Sequence, residues 1–432
     1  NILQIKPSFM ETLEKNDIKS QFLDLFSTED ISKNPVRYKA LEHLMHIPAP
    51  TTKDEFWRYT RVNKLLKKNY QLPGYEVAEF DQSILKKLPL NNEESTLVFV
   101  NGVFAKDYSK IVNASIDLIP FSDALVEQKY QSFYNKLANN QKRFFDAVNT
   151  AFHNSGYILG VPTLSNEKVQ IIQIITNDNL LLIPRNLILA DTGAKITIKE
   201  FFINQSGVEN ALINQLSEIV LMPNSTCNYY KYQNLSNNAL IDTTHILQNQ
   251  DSAYNTHLAS YNTAFIRNNT LVQSSGENTT TTVNGATLTK ENEHIDQHIF
   301  IDHQQPNCYS NQLFRTIADD KSTAVFNGKV MVRQDAQKIN AFQSNANILL
   351  SDFANIYAKP ELEIYADDVK CSHGSSTGQL DEEALFYLRA RGIKEKTAQK
   401  MLISAFLNDT IDNIEDDTYT AFISQEIEQL IQ

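Results

Sequence analysis

The chain has 432 residues, 42% of them hydrophobic and 21% charged, with a net charge of −12 from 39 Lys and Arg against 51 Asp and Glu. This is a globular composition, long enough for two or three domains and too rich in apolar residues for disorder. The acidic balance works against nucleic acid or an anionic membrane surface as the main partner, because both attract basic patches, and it suits a cytoplasmic protein.

In chain order, Phe9, Leu13, Ile18, Phe22 and Leu25 recur at nearly helical spacing and predict a helix up to Phe26. The start, Asn1-Ile-Leu-Gln-Ile-Lys6, carries no basic-then-apolar leader, and its missing Met reads as trimming. A second helix is expected from Val36 to His46, before Pro48. Thr52-Lys-Asp-Glu55 has the spacing of a capping box and should open the segment holding Tyr59 and the sole tryptophan, Trp57, which is expected to anchor packing. Thr96–Val100 reads as a strand running into an Asn101-Gly102 turn. Val126 to about His153 reads as one long helix, with Tyr130, Phe133, Leu137, Phe144, Phe145 and Val148 on its apolar side.

After Gly156 the texture changes to short β-branched runs, such as Val169–Thr176, Lys195–Lys199 and Ile299–Ile301. Turn clusters separate them: Asn177-Asp-Asn, Asp191-Thr-Gly193, Pro223-Asn-Ser, Arg267-Asn-Asn269, Ser274–Asn278, Asn284-Gly285 and Asn327-Gly328. The most apolar run, Leu180–Leu189, is interrupted by Pro184 and Arg185 and falls short of the roughly 18 apolar residues of a membrane span. Asn-x-Ser/Thr triplets such as Asn204-Gln-Ser read as asparagine-rich surface. The pattern is all-β and shows no fixed period, so a sandwich, a barrel and a solenoid stay open. Abundant Asn and Thr at the turns fit the polar ladders of a solenoid.

Within this region, His294, Asp296 and His298 would share one face of a strand, with Ile295, Ile299 and Ile301 on the other. The spacing could hold a metal, but the flanking isoleucines favour an ordinary half-buried strand. Cys227, Cys308 and Cys371 are odd in number, far apart and free of any CxxC pair. Neither a disulfide framework nor a cluster held by this chain alone is expected, and Cys227 and Cys308 read as small buried hydrophobes. The chain has no G-x-x-x-x-G-K-[ST], G-x-S-x-G or H-E-x-x-H, so no chemistry of those kinds is encoded here. Asp367-Asp368 is the nearest acidic pair for glycoside chemistry, yet adjacent strand residues face opposite sides.

From Gln379 the chain turns helical. Asp381, Glu382 and Glu383 favour a helix N-terminus, Leu380, Ala384, Leu385 and Leu388 form its stripe, and Gly392 is the expected C-cap. A second helix from about Glu395 would turn Ala398, Met401, Leu402, Ala405 and Phe406 inward, and a third would span Tyr419 to Leu430. These helices read equally as a partner surface and as a cap on the β-core. Just before them, Leu362–Cys371 alternates as a final strand. If it continues, Cys371 and His373 share a face about 7 Å apart. From the residues alone, a buried thiol and a turn-capping imidazole is the preferred reading of this pair.

Several stretches here resemble the SufB/SufD family of iron–sulfur cluster assembly scaffolds, in particular its SufD-like members. They are Glu55–Thr60, Val325–Val332, Ala336–Ser351, Lys359–Lys370 and the junction Ala366–Gly392 with Cys371-Ser-His373-Gly. The resemblance is strong over roughly residues 285–407 and weaker over most of the rest. It implies a mainly β chain: a right-handed parallel β-helix (solenoid) core over 155–378, flanked by a mostly helical N-terminal domain, 1–154, and a C-terminal helical domain, 379–432. It further implies a non-catalytic scaffold that pairs with a SufB-like subunit through the β-helix, or with itself when isolated. The C-terminal helices would recruit the SufC ATPase, with Leu380, Ala384, Leu385, Leu388, Met401 and Phe406 as contact residues. ATP would be bound by SufC only. Iron or a nascent cluster would be held transiently at the subunit interface, none tightly by this chain alone, with His373 and Cys371 as ligands. The resemblance turns the reading of His373 toward function and leaves Cys371 open. Asn347–Ser351 contains no cysteine where SufB-like chains carry a functional one, so the chain sides with SufD. The rival class, a secreted β-helix carbohydrate-active enzyme, would require a groove of converging acids.

Overall fold

The computed structural model describes residues 18–26, 28–123, 126–412 and 414–431. The first expected helix is seen as Ile18–Leu25, and Phe9 and Leu13 lie outside the described residues.

The middle of the chain winds between two ten-stranded sheets. Each strand pairs in parallel with the strands one full turn before and after it. Thr226–Asn234, for example, lies between Lys195–Asn204 and Ala253–Tyr261. This is a parallel β-solenoid, which excludes the sandwich and the barrel. The missing sequence period has a structural cause. Thr226 sits beside Ala253, 27 positions on, and Ala253 beside Thr280, again 27. Thr280 then sits beside Tyr309, 29 positions on, and Tyr309 beside Asn340, 31. Strands keep their length while corners absorb the difference. Many corners hold an asparagine or aspartate at positive φ, including Asn179, Asn210, Asn224, Asn237, Asp251 and Asn278, since these short polar side chains tolerate the left-handed region.

Three of the expected turns are strand interior. Arg267-Asn-Asn269 lies within Phe265–Ser274, Asn284-Gly285 within Thr280–Thr289, and Asn327-Gly328 within Thr323–Val332. Packing selects these residues. A Cβ on Gly285 would stand 2.4 Å from the Phe314 ring, and one on Gly328 would stand 2.6 Å from Gln312 Oε1. Asn268 is buried inside the solenoid, donating to Gln233 and Gln297. The interior also holds a buried Lys231–Asp242 ion pair (2.6 Å) and Glu200, whose carboxyl burial pushes up. Cys227 and Cys308 are buried, as expected, and burial pushes the Cys227 thiol up to about 12.

The solenoid begins earlier than the expected division at residue 154. Ser95–Val100 pairs with Asn166–Ile175, and Asp117–Pro120 with Tyr157–Val161. The Asn101-Gly102 turn forms as anticipated. Both residues have positive φ, 50° and 78°, as a two-residue hairpin of that kind requires, and Val103–Phe104 returns antiparallel. Helix Pro35–His46 also forms, with Asn34 Oδ1 accepting from the amides of Val36 and Arg37. The capping box is displaced: Asp54, not Glu55, accepts from Thr51, and only a single 3-10 turn, Glu55–Trp57, follows. Trp57, Tyr59 and Thr60 are each held against the sheet, which stops a helix from propagating. The long helix expected over 126–153 is reduced to a π turn, Val126–Tyr130, and Phe144–Phe152. Between them the backbone wraps the buried Glu218 carboxylate, which accepts from the amides of Asn135, Leu137 and Ala138 and pairs with Arg185.

Three C-terminal helices follow the last strand: Glu382–Ala390, Glu395–Asn408 and Asp417–Leu430. The third lays Tyr419, Ile423 and Ile427 on the outer face of the first sheet, against Phe201, Tyr230 and Tyr232. The second buries Ala398, Ile403, Ser404 and Leu407 and leaves Met401 and Ala405 exposed, so its inward face is rotated from the expected one. Docking onto Ala286, Leu288 and Ile317 sets that rotation.

Candidate functional site

Asn355–Ile364 is the last strand of the second sheet and Val369–Gly378 the last of the first. The single final strand expected over 362–373 is thus two strands. The chain bends between them at Tyr365–Asp368, where Ala366 is buried, Asp368 donates to Gln337 Oε1 and Lys338 donates to Asp368 O. Leu362 therefore belongs to one sheet, and Cys371 and His373 to the other.

Cys371 and His373 do share a face. Cys371 lies beside Ala341 and His373 beside Gln343, in the row whose members Ile339, Ala341, Gln343, Asn345 and Asn347 are all buried. That row points into the solenoid. Cys371 is half-buried against the core, whereas His373, beyond the last covered turn, is exposed. Burial pushes the Cys371 thiol above its ordinary value, and its contact with the Ala341 backbone opposes this only in part. At neutral pH it is a thiol, and it must lose a proton to become a ligand or nucleophile. Beneath His373 the same column continues through Gln343 and Gln312. Both amides are buried against Gly328, and neither has a hydrogen-bond partner among the described residues. The imidazole thus caps a column with spare donors and acceptors, which sequence alone did not single out. No group of three or more His, Cys, Asp or Glu suited to a metal exists among the described residues. A thiol and an imidazole are two potential donors, fewer than a four-coordinate metal site requires.

The free edges of the two rim strands differ. Asn355–Ile364 carries Lys359, Pro360, Glu361 and Glu363, with Lys359 tied to Glu55 and Lys329 to Glu363. Charge and proline are the usual guards of an exposed edge. Val369–Gly378 carries one fixed charge, Lys370, near its start; from Ser372 to Gly378 it has no charged residue of fixed sign and no proline, and all seven of those residues are exposed. Close to this rim, Phe353 is 72% exposed and Tyr365 57%.

The other candidates fall elsewhere. Leu380, just before helix Glu382–Ala390, and Ala384, Leu385 and Leu388 on it are half-buried, and Phe406 is half-buried on the next helix. Beside them Phe386 is 71% exposed and Tyr387 55%, two aromatics the helical stripe did not pick out. His294, Asp296 and His298 lie on the outer face of the second sheet, under the strap Glu55–Thr60. Asp296 is fully buried. Its Oδ2 is 2.5 Å from Arg267 Nη1 and accepts from the Thr60 hydroxyl, while its Oδ1 is 3.2 Å from His298 Nε2. Thr60 Oγ1 is 3.0 Å from His294 Nε2. Burial opposes the Asp296 charge, but Arg267 and His298 outweigh it and hold the carboxyl well below the usual range. This cluster is a clasp for the strap. As for glycoside chemistry, Glu200 and Asp242 converge only inside the sealed solenoid, and Asp367-Asp368 is part of an exposed corner.

Comparison with known proteins matches residues 173–406 to the SUF system FeS cluster assembly, SufBD core domain, and residues 16–174 to the SufBD protein N-terminal region. The chain is 29% identical to the iron–sulfur cluster assembly protein SufD of Escherichia coli, over 92% of this chain and 93% of that one. It is 29% identical to an iron–sulfur cluster assembly SufBD family protein of Synechocystis, over 90% and 88%. It is 25% identical to SufD of Bacillus subtilis, over 93% and 95%. Among the described residues no helix is long and apolar enough to cross a membrane.

Proposed function

Because this chain belongs to the SufBD family of iron–sulfur cluster assembly proteins, we propose that it is a SufD-like scaffold subunit working in the cytoplasm. In this reading it pairs edge to edge with a SufB-like chain through Val369–Gly378. The observation that carries the proposal is the rim strand, free of fixed charge and proline from Ser372 to Gly378, which presents Cys371 and His373 beside an edge free to accept another strand.

The reaction's cargo is iron and sulfide. His373 supplies an exposed imidazole nitrogen, and Cys371 supplies a thiolate once its proton leaves, a step favoured by rising pH and by metal. The facing subunit provides the remaining ligands, so the isolated chain carries no stoichiometric cluster. The chain itself is not an enzyme: ATP is bound by a SufC-like partner. That partner docks on the helix Glu382–Ala390 and its neighbour, where Phe386, Tyr387 and Met401 are exposed beside Leu380, Ala384, Leu385, Leu388 and Phe406. The third helix is a structural cap on the β-core, so deleting all of 379–432 would uncover that core. Point changes are the better test.

The experiment is co-expression with SufB-like and SufC-like chains from the same source, followed by purification and iron and sulfide analysis. A stable three-component complex is expected, and Phe386→Ala with Tyr387→Ala should release the ATPase while keeping the SufB-like chain. Failure of the unaltered chain to form any complex would overturn the reading.

A further inference from the structure

A cavity of about 460 Å³ lies between the N-terminal strap, the start of helix Phe144–Phe152 and the outer face of the second sheet. That volume is ample for a small molecule, and none of the residues assigned above to subunit pairing or ATPase docking lines it. Its walls are aromatic: Trp57 stands 5.4 Å from Phe145, centroid to centroid, and Phe56 and Phe300 line it too. The guanidinium of Arg267, fully buried, lies 4.2 Å from the centroid of the Trp57 ring.

The charge of the lining runs against that of the molecule. The whole chain has 39 Lys and Arg against 51 Asp and Glu, but four cations and two carboxylates face this cavity: Lys142, Arg143, Arg267 and Lys329 against Asp54 and Asp146. Arg267 is matched by Asp296 and Lys329 by Glu363. Asp146 is occupied by His245 and by the Asn139 amide, and Asp54 by the Thr51 amide. Lys142 and Arg143 make no ion pair among the described residues. Arg143 also helps hold the Asp146 carboxyl low, but neither cation sits in an ion pair within 4 Å, and apolar walls with two such cations suit a ligand that is flat and apolar at one end and anionic at the other.

We propose that this cavity binds a planar aromatic ring bearing an anionic group, a phosphate, sulfonate or carboxylate. The ring lies among Trp57, Phe56 and Phe300, and the anion faces Lys142 and Arg143. None of the lining residues belongs to the rim strand Val369–Gly378, so the site stands or falls independently of pairing through that strand.

Trp57 is the chain's only tryptophan, so its emission reports from this cavity alone. The probe is 8-anilino-1-naphthalenesulfonate, titrated into the full-length chain with energy transfer from Trp57 as the readout. One saturable site is expected. The Lys142→Glu/Arg143→Glu variant should bind about tenfold more weakly, as the loss of two partly exposed ion pairs allows, with an unchanged circular dichroism spectrum. The uncharged analogue N-phenyl-1-naphthylamine should bind more weakly than the sulfonate and be indifferent to the double substitution. Adenosine 5′-monophosphate should displace the probe more effectively than adenosine. Absence of saturable transfer from Trp57 would overturn the proposal, as would equal affinity of the folded double variant for the sulfonate.

Discussion

At its first end the solenoid folds its sheet edges back on themselves. The hairpin return Val103–Phe104 closes the first sheet and the antiparallel strand Asp117–Pro120 closes the second. At its last end two parallel strands stop with their outer edges bare, one of them guarded by Lys359, Pro360 and acidic neighbours and the other carrying a single fixed charge, Lys370, near its start. A bare edge is a template for pairing, which proteins suppress where it has no use. Among the described residues the chain therefore blunts one end, half-blunts the other, and leaves least guarded the strand that carries Cys371 and His373.

The most direct way to break this contrast is to give the second rim strand the guards of the first. A Cβ at Gly374 meets nothing within 4 Å, so Gly374→Lys with Ser376→Lys should leave the isolated chain's stability within about 0.5 kcal/mol. Pairing with a SufB-like chain should weaken by about a hundredfold, because two lysines on the edge oppose the approach of another strand. Titration of purified subunits measures both effects.

Next in size is the chemistry on that strand. His373→Ala should leave the complex intact and lower the iron and sulfide it accumulates by about tenfold, as expected when a metal ligand is removed. Cys371→Ser should cost as much or less. Because burial raises the Cys371 thiol, its alkylation by iodoacetamide should be slow at pH 7 and accelerate by about tenfold per pH unit up to its pKa. Cys227, pushed up to about 12 and fully buried, should stay unmodified. Peptide mass spectrometry separates the two, and rapid, pH-independent labelling of Cys371 would contradict the assignment of a protonated thiol.

The smallest effect compares one substitution at each end. Gly102, at φ 78° and with Ser155 Cβ 3.1 Å from where its own Cβ would lie, belongs to the closed end. Gly102→Ala should cost about 1–2 kcal/mol. Gly374→Ala at the open end should change stability by no more than about 0.5 kcal/mol. Urea unfolding of the two variants decides it.

Local rules made part of this architecture legible. The Asn101-Gly102 hairpin, the helix start beside the acidic run Asp381–Glu383 and the shared face of Cys371 and His373 all follow from the chain within a few residues. What local pattern could not reveal depends on distant partners. Residues 131–143 lose their helix to Glu218, roughly 80 positions away. Asn284-Gly285 and Asn327-Gly328 look like turns until Phe314 and Gln312 are seen to fill the space a side chain would need. The bend at Tyr365–Asp368 was hidden because Leu362–Cys371 alternates through it. Phe386 and Tyr387 lie off the apolar stripe, so periodicity passed over them.

The strap has a consequence in time as well as in space. Glu55 pairs with Lys359, 304 positions later, and the Tyr59 ring stacks on Tyr357 at 4.1 Å. A ribosome adding roughly 5–20 residues per second needs on the order of 15–60 s to cover that interval. Throughout it, Tyr59 and Glu55 have no rim strand to meet. The coils between can stack in order as they emerge, each on its predecessor, but the strap cannot finish docking until the last coil exists. The strap, made long before the rim strand it fastens to, is thus among the last segments to settle. A chain truncated before Tyr357 would advertise its incompleteness to proteases through an unfastened N-terminal segment.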